Sequence, residues 1–231
     1  MEIAKMRCVA RIRTDYNEKF GIPRQSGLVP EAQGRIVFEP EFRRDDALRG
    51  LEGFSHIWLI WEFSESVKQD WSPTVRPPRL GGNVRMGVFA TRSPFRPNPI
   101  GLSVVRLEEI RRGTPEGTVM IVSGADLLDG TPILDIKPYV PYADSIPDAL
   151  GGFASAAPDA SLIVEIPDAQ LERVPAEKRS ALRAVLSLDP RPRYQDDPER
   201  VYGFRFADLE IRFCVNGETL TVLSVEPTAD A

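Results

Sequence analysis

The chain has 231 residues, of which 42% are hydrophobic and 27% are charged, a balance typical of a globular protein with one or two domains. Its 34 acidic and 29 basic residues give a net charge of -5, which argues against indiscriminate binding to nucleic acid but permits a basic face for a selective RNA. Two cysteines and one histidine exclude a disulfide framework, a cysteine-based zinc site and a histidine-rich metal centre, so we expect no metal. The sequence lacks a signal-peptide pattern and any membrane-spanning apolar run, so we expect a cytoplasmic protein without a membrane partner.

The first third of the chain predicts three strands around a loop. Alternation over Arg7–Thr14 predicts the first strand, and Asp15–Pro30 predicts a long, turn-rich loop. Gly34–Phe38 predicts a second strand, and Arg44–Leu51 a short helix with one apolar side. The apolar run Ser55–Phe63 is typical of a strand that is buried on both faces or closes a barrel. We expect the histidine inside it, His56, to be a hydrogen-bonded core residue without a chemical role.

The next segment, from Trp71 to Leu107, carries arginines and no acidic residue. Within it, Met86–Phe89 predicts a short buried strand, which leads into a loop with three prolines within six positions. Prolines fix their own backbone and restrict the preceding residue, so the loop aims its side chains. Arginine suits bidentate capture of phosphate or carboxylate, and this segment therefore predicts an anion-binding surface. Its arginines are Arg76, Arg79, Arg85, Arg92, Arg96 and Arg106.

Two further strands, Thr118–Ala125 and Ile133–Tyr139, flank a turn-rich stretch with Asp-Gly chemistry. We expect them to form a hairpin whose loop presents Asp126 and Asp129. Together with Asp135, these carboxylates could serve as acid or base groups or as magnesium ligands. Asp129 could equally cap its own turn, and Asp135 could pair with a lysine two residues further on.

The remainder of the chain predicts a small α+β module. We place the boundary near Ala157, so that residues 1–157 form one domain and residues 158–231 the other. The predicted strands of this module are Ser161–Ile166, Phe204–Phe206, Glu210–Val215 and Thr219–Val225, with a helix at Ala176–Leu188. Asn216-Gly217 between the last two strands is a strong hairpin signal.

Several enzyme classes lack their sequence signals. The chain contains neither a dinucleotide-binding glycine motif, nor a P-loop, nor a G-x-S-x-G nucleophile elbow. An arginine-rich rigid loop and a carboxylate-bearing segment remain. From the residues alone, a noncatalytic RNA-binding or cofactor-binding barrel and a magnesium-dependent RNA enzyme both stay open.

Five long segments follow one another in the chain, namely EKFGIPRQSGLV, GLEGFSHIWLIWEF, PTVRPPRLGG, MGVFATRSPFRPNPIGLS and DLLDGTPILDIKPYVPYADS. Together they resemble the TrmO family, also called the TsaA-like or YaeB-like proteins. The resemblance covers essentially the whole chain and includes the stretch Asp189 to Pro192. The resemblance implies a mainly β protein with some α structure, in which a β-barrel domain without a Rossmann sheet binds S-adenosyl-L-methionine (SAM) and precedes a small α+β domain.

The resemblance also implies an activity. Family members methylate N6 of the threonylcarbamoyl-adenosine immediately 3′ to the anticodon in threonine tRNAs, and they act as homodimers. We therefore expect tRNA and a second copy of the chain as partners, and no DNA. An arginine surface without acids suits the threonyl carboxylate and the RNA phosphates of this substrate.

The family's cofactor contacts can be transferred to this chain position by position. At Ser64 and Glu65 the relatives carry His-Gln or similar, so this chain has no imidazole there. The matching positions are Ser26, Gly27, Leu28, Ser64, Glu65, Arg92, Leu102, Ser123, Gly124, Ala125 and Asp126. The resemblance favours direct in-line methyl transfer, for which Asp126 or Asp129 is the candidate general base and Arg92 holds the cofactor or the RNA.

Overall fold

The computed structural model describes residues 5–66, 71–155, 162–191 and 197–228, and most of its regular structure is β. Six of the first eight strands close into a barrel in the order β1-β2-β7-β6-β3-β8, and β4 pairs with β5 in a separate ladder. The barrel and ladder strands are β1 (Ala10–Arg13), β2 (Gln33–Phe38), β3 (His56–Glu62), β4 (Thr74–Val75), β5 (Met86–Gly87), β6 (Ile100–Thr114), β7 (Gly117–Ser123) and β8 (Pro132–Pro138). A short helix, α1 (Pro141–Asp144), follows.

Alternation along the strands fills the barrel. Ile12, Ile36, Leu59 and Met120 come from four different strands and are fully buried in one apolar cluster. The prediction that the apolar run of β3 closes a barrel is confirmed. The strand is not buried on both faces, because its residues alternate between buried and half-buried. His56 lies on the half-buried face, where its Nδ1 is 2.9 Å from Ser55 Oγ, so the prediction of a core histidine is wrong.

Strand β6 is the longest of the barrel and was absent from the sequence-based expectations. Thr118–Ala125 and Ile133–Tyr139 do form strands, namely β7 and β8, but the predicted hairpin between them is wrong. Strand β7 lies between β2 and β6, whereas β8 lies between β3 and β1. Residues 124–131 therefore cross the barrel end, and the backbone of Gly130 donates a hydrogen bond to Ile12 of β1. This crossing brings Asp126 to the barrel mouth.

Two predicted elements are shorter than expected. The predicted helix at Arg44–Leu51 is instead two 3-10 turns, Asp45–Leu48 and Leu51–Gly53, interrupted by Gly50 at a φ of 88°. The predicted buried strand at Met86–Phe89 is wrong. Only β5 is extended, and a 3-10 turn follows that leaves Phe89 exposed. Residues 71–91 comprise the β4-β5 ladder, which is not part of the barrel sheet, and its flanks; they are called the arm below.

The second module is an α+β unit, and the predicted hairpin through Asn216-Gly217 is confirmed, because Asn216 pairs with Thr219. Its sheet has the order β10-β11-β12-β9, with β9 parallel to β12. The predicted boundary near Ala157 lies outside the described residues. The elements are β9 (Ile163–Glu165), α2 (Asp168–Leu171), α3 (Arg179–Ser187), β10 (Tyr202–Phe206), β11 (Leu209–Asn216) and β12 (Thr219–Pro227). Of the helices in the described ranges, none has the length and apolar character that a membrane span needs.

The predicted long loop at Asp15–Pro30 joins the two modules. Tyr16 and Val29 from this loop are buried in the core of the second module, and the Tyr16 ring contacts Phe206 with centroids 6.1 Å apart. Lys178 adds an ion pair to Asp15 at 2.6 Å. The second module thereby fixes the loop that continues across the barrel mouth.

Candidate active site

A cavity of about 510 Å³ opens at the barrel mouth between the loop, β3, β6 and the crossing segment. Its walls combine apolar side chains with charged groups of both signs. The apolar lining includes Ile22, Trp61, Phe63, Ile100 and Leu102, and the charged lining comprises Lys19, Arg24, Glu62, Glu65, Arg92, Arg96 and Asp126. A cavity of this size, with an apolar floor and a few convergent polar groups, is typical of a small-molecule site.

Asp126 is held in this cavity by a hydrogen-bonded chain from the barrel. The Ser103 hydroxyl donates to Asp126 Oδ1 at 2.6 Å, and the Trp61 indole Nε1 donates to Ser103 Oγ at 3.0 Å. Ser103 is fully buried, so the chain is fixed by strand geometry. Burial raises the pKa of Asp126, while the Ser103 hydrogen bond and the charge of Arg92 lower it in part. A carboxylate with a raised pKa is suited to accepting a proton near neutral pH.

Gly101 lets the Trp61 indole lie directly against β6. A Cβ atom added at Gly101 would lie 2.3 Å from the indole ring, which is far inside van der Waals contact. The two residues face each other in the register of β3 and β6. Glycine is therefore required here for the close approach that forms the cavity floor.

Two glycine turns meet beside Asp126. Gly27 N donates to Gly124 O at 2.8 Å, and a Cβ added at Gly124 would lie 3.2 Å from Gly27 Cα. Both have a positive φ, of 80° and 76°. The backbone of Ser26 also hydrogen-bonds Asp126, which lowers the pKa of that carboxyl. The loop and the crossing segment thus form one wall.

Arg92 connects the proline loop to the opposite wall. Its Nη1 donates to Gln25 Oε1 at 2.5 Å. The predicted rigidity of the proline loop has a physical basis in local hydrogen bonds, such as that from Thr91 Oγ1 to Val88 O at 2.9 Å. On the far side, Lys19 Nζ donates to Glu65 O at 2.7 Å and closes the cavity over the 64–66 turn.

A larger cleft of about 2180 Å³ adjoins the cavity and shares Arg24, Gln25, Thr91, Arg92 and Pro94 with it. Among the described residues that line it, none is acidic. The arginines along its walls are Arg24, Arg76, Arg79, Arg85, Arg92 and Arg191, the last from the second module. The sequence-based expectation of an arginine-rich surface without acids agrees with this arrangement for four of its six arginines. Arg96 lines only the smaller cavity, and Arg106 lies outside both and pairs with Glu108 at 3.2 Å.

The predicted carboxylate trio is not assembled. Asp129 lines neither cavity, because it accepts hydrogen bonds from Thr14 N at 2.9 Å and Arg13 Nη1 at 3.2 Å. Asp135 pairs with Lys137 at 2.9 Å. Within the described ranges, no group of three metal-ligating side chains is present, so the structure offers nothing for the magnesium hypothesis. Of the three predicted carboxylates, only Asp126 lines the cavity.

The predicted cofactor positions fall into three sets. The side chains of Ser64, Glu65, Arg92, Leu102 and Asp126 line the cavity. In contrast, Ser123, Gly124 and Ala125 are buried behind it, where Ser123 Oγ donates to Glu108 at 2.6 Å. Leu28 lines the larger cleft, next to the glycine turn of Ser26 and Gly27. The sequence-based set missed Lys19, Gln25, Trp61 and Ser103. Of these, only Gln25 could have been recognised from the sequence, because it follows Arg24 in a turn-rich loop.

The fold and the site together define a β-barrel protein with a ligand-sized cavity that adjoins an arginine-rich cleft. Comparison with known proteins identifies the family. The model for the tRNA-methyltransferase O N-terminal domain matches residues 11–145, and the model for the TrmO C-terminal domain matches residues 161–228. The chain belongs to the tRNA-methyltransferase O (TrmO) family.

Individual relatives and solved structures agree with this assignment. The chain is 44% identical over 225 residues to the Escherichia coli K12 tRNA (adenine(37)-N6)-methyltransferase, covering 94% of this chain and 95% of that protein. It is 39% identical over 138 residues to a Pyrococcus abyssi protein named "Probable S-adenosyl-L-methionine-binding protein", covering 60% of this chain and 69% of that one. The crystal structure of TrmO from Pseudomonas aeruginosa superimposes with a TM-score of 0.79 at 38% identity, covering 97% of this chain and 98% of that one. The mainly β, two-domain architecture is thereby confirmed.

Proposed function

We propose that this protein transfers a methyl group from SAM to N6 of threonylcarbamoyl-adenine 37, next to the anticodon of threonine tRNAs. SAM-dependent methylation of adenine 37 at N6 is the activity of the family to which the chain belongs. The threonylcarbamoyl group and the threonine tRNAs are the finer part of the proposal. One observation carries the proposal, namely that the half-buried carboxylate Asp126 lies where a cofactor-sized cavity meets an arginine cleft whose described lining contains no acidic residue.

The residues at the cavity fit SAM. Its volume of about 510 Å³ lies within the range of roughly 300 to 1,000 Å³ common for ligand pockets. Trp61, Phe63 and Leu102 offer apolar surface for an adenine ring, and Arg92 offers a cation for the cofactor's carboxylate. The backbones of Ser26–Leu28 and Ser123–Ala125 support this wall from behind. When bound, SAM supplies an electrophilic methyl group on its sulfonium sulfur.

Asp126 is the candidate general base. The target nitrogen belongs to a ureido group whose lone pair is delocalised into a carbonyl, so it is a weak nucleophile. A carboxylate that takes the N6 proton during attack would increase its reactivity. Asp126 has the raised pKa and the fixed position that this role needs, whereas Asp129 is engaged with Thr14 and Arg13.

The arginine cleft is the candidate site for the RNA and for the threonyl carboxylate. Both ligands are anions, and the arginines of the cleft are suited to bidentate contacts with phosphate and carboxylate groups. Arg24 and Arg92 are the two arginines that line both cavities, so they could contact a substrate group that reaches from the cleft toward Asp126. A homodimer and a cytoplasmic location remain predictions, and sedimentation of the purified protein would test the first.

The decisive experiment is transfer of labelled methyl from SAM to threonine tRNA, run in parallel with the same tRNA lacking the threonylcarbamoyl group. We expect incorporation only into the modified tRNA. Incorporation into both would leave a tRNA methyltransferase that does not read the threonylcarbamoyl group. Incorporation into neither, with SAM binding intact, would contradict the proposed function.

A further inference from the structure

The arm exposes two aromatic rings next to the arginine cleft. Trp71 is 53% exposed and Phe89 is 75% exposed, and both line the cleft. Their ring centroids are 6.4 Å apart, with 32° between the planes, so they form one bent aromatic platform. Neither ring is needed for the apolar core of the barrel or of the second module. Two large, adjacent and solvent-exposed rings beside the arginine cleft indicate a contact surface for a partner.

The backbone of the arm fixes this platform. Strands β4 and β5 pair with Thr74 opposite Gly87, and Val88 N donates to Pro73 O at 2.9 Å, which extends the ladder toward Trp71. The Val88 side chain is buried, so the following residue, Phe89, is turned outward. The rings are therefore presented at one end of a hydrogen-bonded ladder. Two further cleft arginines, at positions 76 and 85, directly follow β4 and precede β5 at its other end.

We propose that Trp71 and Phe89 stack an unpaired base of the anticodon loop, while Arg76 and Arg85 contact the phosphates of the same strand. This inference rests on the proposed function and specifies how the RNA is held. Sequence-tolerant binding of single-stranded nucleic acid combines a cationic groove with aromatic rings on which bases stack. The platform and the acid-free cleft supply both parts on one surface.

Charge favours RNA over a second copy of the chain on this surface. A two-fold contact presents the same patch on both subunits, so a dimer formed through the arm would bring arginines against arginines. The described lining of the cleft contains no carboxylate that could compensate. A polyanion with exposed bases matches both the charge and the aromatic character.

The test uses a labelled threonine tRNA anticodon stem-loop carrying the threonylcarbamoyl group, with binding measured by anisotropy and methyl transfer measured separately. We expect Trp71→Ala or Phe89→Ala to weaken RNA binding and raise KM for the RNA by about 10- to 100-fold. SAM affinity and kcat should stay near wild type, and Trp71→Phe should recover most of the loss. Tyr142→Ala is the matched control, because Tyr142 is 92% exposed and lines neither cavity.

Tryptophan fluorescence gives a direct readout of stacking. Of the three tryptophans, Trp58 and Trp61 are bound to Asp144 and Ser103, and Trp71 is the most exposed. The stem-loop should quench the wild-type emission, and the quenching should largely disappear in Trp71→Phe. Binding weakens as salt concentration rises, and Arg76→Ala should make the slope of log affinity against log salt concentration shallower by about 0.7. Arg212→Ala on the second module should leave this slope unchanged.

The outcomes separate this inference from the proposed function. Stem-loop binding that depends on Trp71, without any methyl transfer, would support the inference and contradict the function. Methyl transfer with an unchanged KM in Trp71→Ala and Phe89→Ala would overturn the inference alone. A change in sedimentation mass without a change in RNA affinity would also overturn it and assign the platform to a second copy. If the wild type neither binds nor methylates the RNA, both fail.

Discussion

The two cavities meet at Arg24 and Arg92, yet they are built in different ways. The floor of the smaller one is formed by barrel strands whose polar groups, such as Ser103 and Trp61, are buried and hydrogen-bonded to each other. The larger one is formed by loops and the arm, whose arginines reach in from several directions. Rigid strands can fix a reacting group within a fraction of an ångström, whereas loops can adapt many cations to a large anion. Under the proposed function, chemistry and RNA binding would take place in separate parts of one fold.

Asp126→Asn tests the chemistry of the smaller cavity without changing its shape. The amide oxygen can still accept the Ser103 hydrogen bond, but it cannot take a proton. We expect kcat for methyl transfer to fall by about 100- to 10,000-fold, with SAM affinity near wild type by calorimetry. Asp129→Asn is the control and should keep normal turnover, because Asp129 lines neither cavity. Normal turnover in Asp126→Asn would show that Asp126 is not the base.

Gly101→Ala tests whether the rigidity of the strand wall matters. The added methyl would lie 2.3 Å from the Trp61 ring, so the indole must move and its hydrogen bond to Ser103 must break. We expect the free energy of unfolding to fall by about 1 to 3 kcal/mol, together with SAM affinity. Urea denaturation and calorimetry would measure the two effects. Gly53→Ala is the control, since a Cβ there meets nothing within 4 Å; equal behaviour of the two variants would argue against a tightly packed wall.

Arg92→Ala tests the junction that the two cavities share. Loss of a hydrogen bond to a charged group costs about 1.5 to 3 kcal/mol, so we expect weaker binding of SAM or of tRNA before any loss of kcat. Filter binding and calorimetry would distinguish the two ligands. Arg106→Ala removes an arginine of the same segment that lies outside both cavities and should bind both ligands normally. Unchanged affinity of Arg92→Ala for both ligands would show that Arg92 binds neither SAM nor tRNA.

Local patterns predicted the elements in which burial alternates regularly. Strand β1 follows from period-2 alternation, β3 from a continuous apolar run, and the hairpin through Asn216-Gly217 from turn chemistry. Strand β6 was missed because its C-terminal half is mostly charged and exposed and shows no regular alternation of apolar residues. This half is held in the sheet mainly by pairing with the neighbouring strand β7, and such pairing cannot be recognised from the sequence of β6 alone.

The candidate site was predictable to a similar extent. The arginine-rich segment was visible because charge of one sign is a local property. The choice between Asp126 and Asp129 was not, since it depends on how residues 124–131 cross the barrel end and bind β1. Ser103 gave no signal, because a serine in an alternating strand is ordinary until its neighbour across the barrel mouth is known.

Ser103→Ala makes the smallest change and tests how the strand wall tunes its carboxylate. Its hydroxyl hydrogen bond lowers the pKa of Asp126, against the larger effect of burial, which raises it. Removing the hydroxyl should therefore raise that pKa further. Asp126 accepts a proton only when ionised, so activity is lost as pH falls through its pKa, and the acid limb of kcat/KM should move to higher pH. The pH profile of methyl transfer measures the shift, and Thr118→Ala, which removes a hydroxyl bonded to Asp45 far from the cavity, should leave the limb in place. An acid limb that does not move would mean that the ionisation of Asp126 does not limit the reaction.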